Sequence, residues 1–314
     1  MARANVATIE AETQAAPTGA RVSVRHCEVS EPIAVIAIQH GMAEHSGRYR
    51  RFQRALAERG YASVAHDHRG HGLTEAADSA QGYFAHKDGW EKLRLEALHA
   101  ALEAKDRAGG APLVAFGHSM GGLVAFDMVT TDPTPFAGAA IWNIAFTGGI
   151  EGAALRTLLK AERFRRGSDA PSALARKLTF DAWNKRFAPN RTDFDWLSRD
   201  RAEVNAYVAD PHAGHEITIG MWLDVLGAMQ RATDDGRLAK LPNDMPFHLL
   251  GGEQDPVTNG GKGIEAIAAR LRKAGLTDVT SSVLNATRHE ALNEVNRDTT
   301  TNAFIDWLDA RFAR

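Results

Sequence analysis

Gly117-His118-Ser119-Met120-Gly121-Gly122 stands directly after the apolar run 113–116 and directly before a stretch with helical spacing. No other feature constrains the fold of this chain as strongly. A strand that turns sharply into a helix at Gly-x-Ser-x-Gly needs small residues on both sides of the serine, because strand and helix approach closely there. A side chain at 117 or 121 would clash. The turn carries the serine Oγ to the helix N-terminus, where backbone N–H groups can stabilise an anion. The pentapeptide alone is a weak signal; the strand before it and the helix after it give it weight.

The same rhythm runs along most of the chain. Apolar runs enriched in β-branched residues, each followed by Gly or polar turn signals, fall at 22–27, 33–40, 62–66, 113–117, 138–144, 246–251 and 280–285. Ile33-Ala34-Val35-Ile36-Ala37-Ile38 is continuous enough for a strand buried on both faces. Helical spacing occupies 49–59, 89–105, 121–129 and 264–273. Strands alternating with helices predict an α/β fold with a mostly parallel sheet. From 145 to about 229 the rhythm breaks into helical patterns and loops, and it resumes at 245–252. That pattern predicts residues 1–20 as a flexible N-terminus, 21–144 and 231–314 as two parts of one core, and 145–230 as a helical insertion.

Composition closes off several functions. Lys+Arg 37 against Asp+Glu 39 leaves a formal net charge of −2, which offers nothing for nucleic acid. One cysteine, Cys27, forbids an intramolecular disulfide and a four-thiolate zinc site. The first twenty residues contain no signal-peptide core, and no run approaches the length of a membrane span. The expectation is a cytoplasmic protein.

A serine nucleophile needs a base, and the base an orienting acid. After Ser119 the order Ser, acid, His is completed at two later strand ends. Asp255 follows the apolar run before Gly251-Gly252-Glu253-Gln254, and His289 follows the last predicted strand. Catalytic groups of open α/β sheets gather at such positions. Glu253 and Asp244 are alternatives for the acid, but Asp255 lies where the loop has cleared the sheet edge and Pro256 sets its exit. Two N–H donors are needed for the oxyanion. Met120, after the nucleophile, supplies one, and Met42, where Gly41 lets the chain turn, supplies the other.

These residues and their neighbours carry a resemblance. Gln39-His40-Gly41-Met42-Ala43-Glu44-His45-Ser46-Gly47-Arg48-Tyr49, Asp67-His68-Arg69-Gly70-His71-Gly72, Gly117 to Gly122, and Asp255 with His289 together resemble the monoacylglycerol lipase and lysophospholipase-like branch of the α/β-hydrolases. The resemblance covers about residues 20–312. It implies an α/β-hydrolase fold, with a mostly parallel sheet flanked by helices and a helical cap inserted after the sixth strand. It also implies a serine carboxylester hydrolase acting on a monoacyl lipid or similar small apolar ester. The triad would be Ser119, Asp255 and His289, with Gly41, Glu44 and His118 supporting the loops and no cofactor or metal. A small-ester carboxylesterase and a cofactor-free perhydrolase use the same triad, and a binding protein on this fold would usually lack one of its members.

Two features stand beside this reading. His66-Asp67-His68-Arg69-Gly70-His71 has the H-x-H-x-x-H spacing of dinuclear metallohydrolases. The aspartate that normally precedes the last histidine is replaced by Gly70, so hydrogen-bonded loop histidines are expected instead. Arg156, Lys160, Arg163, Arg165 and Arg166 flank Leu155, Leu158 and Leu159. A basic amphipathic helix can rest transiently on an anionic membrane through the cap, although a solvated face over a packed one accounts for the same pattern.

Overall fold

A computed structural model of the chain describes residues 9–144, 150–232 and 234–313. Among them the strands are β1 (Glu12–Ala15), β2 (Arg21–Cys27), β3 (Val35–Gln39), β4 (Ala62–His66), β5 (Leu113–His118), β6 (Gly138–Trp142), β7 (Phe247–Gly252) and β8 (Val279–Leu284). They form one sheet in the order β1-β2-β4-β3-β5-β6-β7-β8. β1 and β2 join it antiparallel, and every other pairing is parallel.

The helices are α1 (Arg50–Glu58), α2 (Gly89–Arg107), α3 (Met120–Thr131), α4 (Ile150–Arg166), α5 (Ala173–Arg176), α6 (Ala182–Lys185), α7 (Arg201–Ala209), α8 (Ile219–Ala232), α9 (Asp235–Leu238), α10 (Lys262–Lys273) and α11 (Arg297–Phe312). Residues in the central strands alternate between two cores, as the two-residue period of a strand requires. Val35, Ala37, Leu113, Ala115, Ala139 and Ile141 face the layer of α2, α3, α8 and α10. Ile36, Ile38, Val114, Phe116, Ala140 and Trp142 face the layer that holds α1 and α11. Because both faces are covered, the strands read as nearly unbroken apolar runs.

The segments predicted as strands from their apolar runs fall on β2 to β8 within two residues at each end. β1 differs from expectation, since it lies inside the stretch 1–20 predicted to be flexible. Its sequence, Glu-Thr-Gln-Ala, is mostly exposed on the sheet edge and carries no apolar signal. It is held by backbone pairing with 21–24 of β2. The expected insertion 145–230 begins outside the described residues, because 145–149 are among those left undescribed; α4 to α8 follow β6 and precede β7. In α4, Leu159 is fully buried, while Leu158 is half exposed and Phe164 is 94% exposed. No helix among the described residues is long and apolar enough to cross a membrane.

Candidate active site

The parallel strands deliver the singled-out residues to one edge of the sheet. Gly41 and Met42 follow β3, Ser119 follows β5, Asn143 follows β6, Asp255 follows β7 and His289 follows β8. Ser119 sits at φ 54°, ψ −122°, a strained conformation for a residue with a Cβ, and its N–H donates to the Trp142 carbonyl at 2.9 Å. The glycines around it are sterically required. A Cβ on Gly117 would lie 2.1 Å from the Gly121 carbonyl oxygen, and one on Gly121 would lie 2.1 Å from that of Gln39.

His289 Nδ1 lies 3.0 Å from Asp255 Oδ1, and both side chains are buried. The second oxygen of Asp255 accepts a hydrogen bond from Asn143 Nδ2 at 2.9 Å, and Oδ1 also accepts from the Val257 N–H at 2.9 Å. Burial by itself would raise the Asp255 carboxyl. The His289 ring, Asn143 and the Val257 N–H outweigh it and hold the group below its ordinary value. Of the other acids weighed from sequence, Asp244 is exposed, and Glu253 is exposed with its carboxylate on the Ala286 N–H. Asn143 was not legible as a site residue. Its one signal is a positive φ of 52°, which Asn tolerates better than most residues.

The loop after β3 is braced by buried charge. Glu44 Oε1 accepts from the Gly41 N–H at 2.5 Å and from the Tyr49 hydroxyl at 2.8 Å. Arg48 joins Glu44 Oε2 at 2.5 Å and grips both oxygens of Glu290 at 2.6 Å. Burial would neutralise each of these groups. Arg48 nevertheless holds Glu44 well below and Glu290 below the usual carboxylate range, and the two carboxylates hold Arg48 well above its own. His118 Nδ1 lies 3.6 Å from Glu44, whose charge raises the imidazole against the effect of burial, while Nε2 meets the His289 carbonyl at 3.0 Å. Glycine at 41 also has a steric reason. Its backbone is not in the left-handed region; a Cβ there would lie 2.7 Å from Glu44 Oε1, and the positive φ falls on Ala43 instead.

His45 turns away from the site to Asp210, at 2.8 Å. In the His-x-His-x-x-His segment the rings bond to one another and to backbone: His68 Nδ1 to His66 Nε2 at 3.1 Å, His68 Nε2 to the His40 carbonyl at 3.1 Å, and His71 Nδ1 to the Arg69 carbonyl at 3.1 Å. Among the described residues, no group of three or more His, Cys, Asp or Glu side chains is arranged to hold a metal ion.

Met42, Ser119, Met120, Glu44, His118 and His289 line one cavity of about 280 Å³. The segments from α5 to α8 supply its opposite wall, including Phe180, Trp183, Trp196, Trp222 and Met229. The Trp196 ring packs 4.9 Å from that of His289. Such a site offers a serine hydroxyl on a strained turn, a buried imidazole–carboxylate pair and an apolar receptacle.

The chain matches the sequence pattern of the family described as serine aminopeptidase, S33, over residues 30–296. It is 32% identical to human monoglyceride lipase over 227 residues, which are 71% of this chain and 66% of that protein, just under two thirds of the relative's length. A monoacylglycerol lipase from Mycolicibacterium smegmatis is 25% identical over 293 residues, 89% of each chain. The solved structure of a thermostable carboxyl esterase from Bacillus coagulans superposes with a TM-score of 0.86 at 22% identity, over 97% of this chain and 99% of that one. At that identity the likeness speaks to the fold.

Proposed function

This chain belongs to the serine aminopeptidase S33 family of α/β-hydrolases, and from that premise we propose that it hydrolyses carboxylic esters of monoacyl lipids, or similar small apolar esters, through an acyl-enzyme. The observation that carries the reading is the opening of Ser119 and His289 onto one aromatic-walled cavity, with Asp255 buried behind His289. Monoglyceride and monoacylglycerol lipases among its relatives support the same substrate class.

Ser119 Oγ attacks the ester carbonyl while its proton passes to His289 Nε2, the ring nitrogen not engaged by Asp255. Asp255 keeps Nδ1 as the donor and stabilises the imidazolium. The Met42 and Met120 N–H groups receive the negative oxygen of the tetrahedral intermediate, a contribution worth about 10²–10³ in rate per donor. The intermediate collapses, and the alcohol leaves with the proton from His289. Water, deprotonated by His289, then attacks the acyl-Ser119 carbonyl, and the acid departs with the serine regenerated. The segments α4 to α8 act as a cap that keeps bulk water from the acyl chain.

Ser119→Ala is expected to abolish labelling by a fluorophosphonate and to lower kcat on p-nitrophenyl esters by about 10⁴-fold or more. Full activity in that variant would overturn the assignment. A series of monoacylglycerols and simple esters of graded chain length separates the two halves of the proposal. If only acetyl and propionyl esters turn over, the lipid half falls and the esterase half stands.

A further inference from the structure

The loop that carries His289 is stitched to a stretch of chain from far away in the sequence. Residues 195–199, between α6 and α7, run along the residues after β8. The Glu290 N–H donates to the Leu197 carbonyl at 2.8 Å, Ser198 Oγ donates to the Asn293 carbonyl at 2.8 Å, and Arg199 Nε donates to Glu294 Oε2 at 3.0 Å. Arg288 Nη1 donates to the carbonyls of Asp195 and Ser198. So many bonds over five residues fix the two strips against each other. Between them they bring the ring of Trp196 onto that of His289.

Asp255 takes the Nδ1 edge of His289, and two rings pack against the imidazole. His118 lies at 4.8 Å with a tilt of 55°, and Trp196 at 4.9 Å with a tilt of 35°, closer to stacked than to edge-on. The indole cannot swing away. Phe180 stacks on it at 5.7 Å and 19°, and Trp183 packs at 5.1 Å. Its Nε1 is buried with no acceptor among the described residues, so the position uses the ring and not the N–H. Only the indole offers His289 a large π face for a positive charge. The His118 ring is itself raised by Glu44 towards the cationic form, which does not favour a second cation beside it.

We propose that Trp196 is a positioning residue for the reaction, whose indole holds the His289 ring and stabilises the imidazolium that forms as Ser119 gives up its proton. This rests on the esterase reading above. A cation over an aromatic face is attracted within about 6 Å of the ring centre, indole is the best such partner, and a desolvated contact is worth about tenfold in an equilibrium. The cation appears twice in the reaction. His289 carries the serine proton until the alcohol leaves, and a proton of water until the acid leaves. The contact therefore acts on the transition states and not on the bound ester. The charged groups that face His289 from the other elements are Asp255 after β7, His118 after β5 with Glu44 and Arg48 behind it, and Glu290 beside it. All of them remain when Trp196 alone is changed.

The test uses the full chain with Ser119 phosphonylated by a fluorophosphonate. The far-downfield proton NMR signal of His289 Nδ1–H moves when the ring loses its charge, and its midpoint is read by raising the pH from neutral. Trp196→Leu is expected to lower that midpoint by about one unit, and Trp196→Phe, which keeps a weaker face, by about half a unit. On p-nitrophenyl acetate and octanoate, kcat of the leucine variant should fall about three- to tenfold by the same factor, with KM within about twofold. If the leucine variant does not fold, Trp196→Phe removes an N–H that has no partner and reads the same midpoint. A midpoint unmoved within about 0.2 unit in a folded variant overturns the proposal. So does a loss that grows with chain length and lies in KM, which would make Trp196 a wall of the acyl site only. If the adduct forms and the midpoint stays, only the role of Trp196 falls. If the wild type forms no adduct and turns over no ester, the esterase reading falls with it.

Discussion

At Asp255 a single carboxylate has three jobs. It orients the His289 ring, stays charged in a fully buried place, and accepts from Asn143 and the Val257 N–H so that no lone pair is wasted. The second neighbour is the informative one to remove. Asn143→Ala deletes the bond to Oδ2 and puts alanine at φ 52°, where a left-handed backbone costs alanine about 1 kcal/mol more than asparagine. The lost hydrogen bond to a charged, buried group adds about 1.5–3 kcal/mol. We expect kcat to fall roughly tenfold with KM within about twofold, since Asn143 acts through Asp255 and does not line the cavity. Steady-state kinetics with a denaturant curve check this, and a rise in KM at constant kcat would place Asn143 in substrate binding instead. Asp255→Asn is the more severe change. An amide there can present its N–H to Nδ1 and favour the wrong tautomer, with a loss of about 10⁴ in kcat.

At the scale of elements, the site exists because a strand, a turn and a helix are packed closer than side chains allow. β5 and α3 meet at Gly117 and Gly121, and α3 in turn abuts the end of β3. A Cβ at 121 would face the carbonyl oxygens of Gln39 and His40 at 2.1 and 2.4 Å, and these are backbone atoms that cannot swing aside. Gly121→Ala is therefore expected to cost more than about 3 kcal/mol, in the range reserved for core overpacking and strain, and to displace the Met120 N–H from the site. Gly227 makes the contrast. It lies in α8 at ordinary φ, and a Cβ there would meet only Arg231 Nη1 at 3.5 Å. Gly227→Ala should stabilise by up to about 1 kcal/mol through helix propensity. Melting temperatures of the two variants measure the difference, and a well-folded, active Gly121→Ala protein would show that the elbow tolerates a wider gap than its geometry requires. The same packing logic explains what the sequence could reveal of the elements. Close-packed strands buried on both faces advertise themselves as apolar runs, whereas β1 is held by backbone pairing with β2 and by polar contacts such as that of Glu12 with Arg107, and could not be read from Glu-Thr-Gln-Ala.

Across the whole molecule, what was legible depended on how far apart the interacting residues lie in the chain. The elbow, the strand ends and the order of Ser119, Asp255 and His289 are local patterns, so they could be read. The ion pair from Arg48 to Glu290 joins residues 242 apart, so it had no local signature. The thirteen histidines fall between these cases. Their clustering was visible, but their state was not, because it depends on burial. His66 and His248 are both buried and pushed down to about 3, chiefly by desolvation, and His40, His68 and His71 are lowered by the same cause. His248 Nδ1 accepts from Trp142 Nε1 at 3.0 Å, a bond that only the neutral ring can make. Such a group takes up its proton in the unfolded chain near pH 6.5 but not in the folded one until about 3. Its contribution to stability is therefore complete above pH 6.5 and is lost as the pH falls, by about 1.4 kcal/mol per pH unit for each histidine. His118, raised by Glu44, runs the other way and stabilises at low pH. The depressed carboxylates Asp255, Glu44 and Glu290 begin to lose their contribution only below their unfolded values of 3.8 and 4.5. The buried histidines thus set the acid limit, and the protein should unfold between about pH 6 and 4, before those carboxylates protonate. Urea unfolding at half-unit steps from pH 7 to 4.5 measures the slope, and His248→Asn should flatten it by about one proton. An acid transition that stays below pH 4 in the wild type, or a slope unchanged in that variant, would mean that the buried rings take up protons without unfolding the chain.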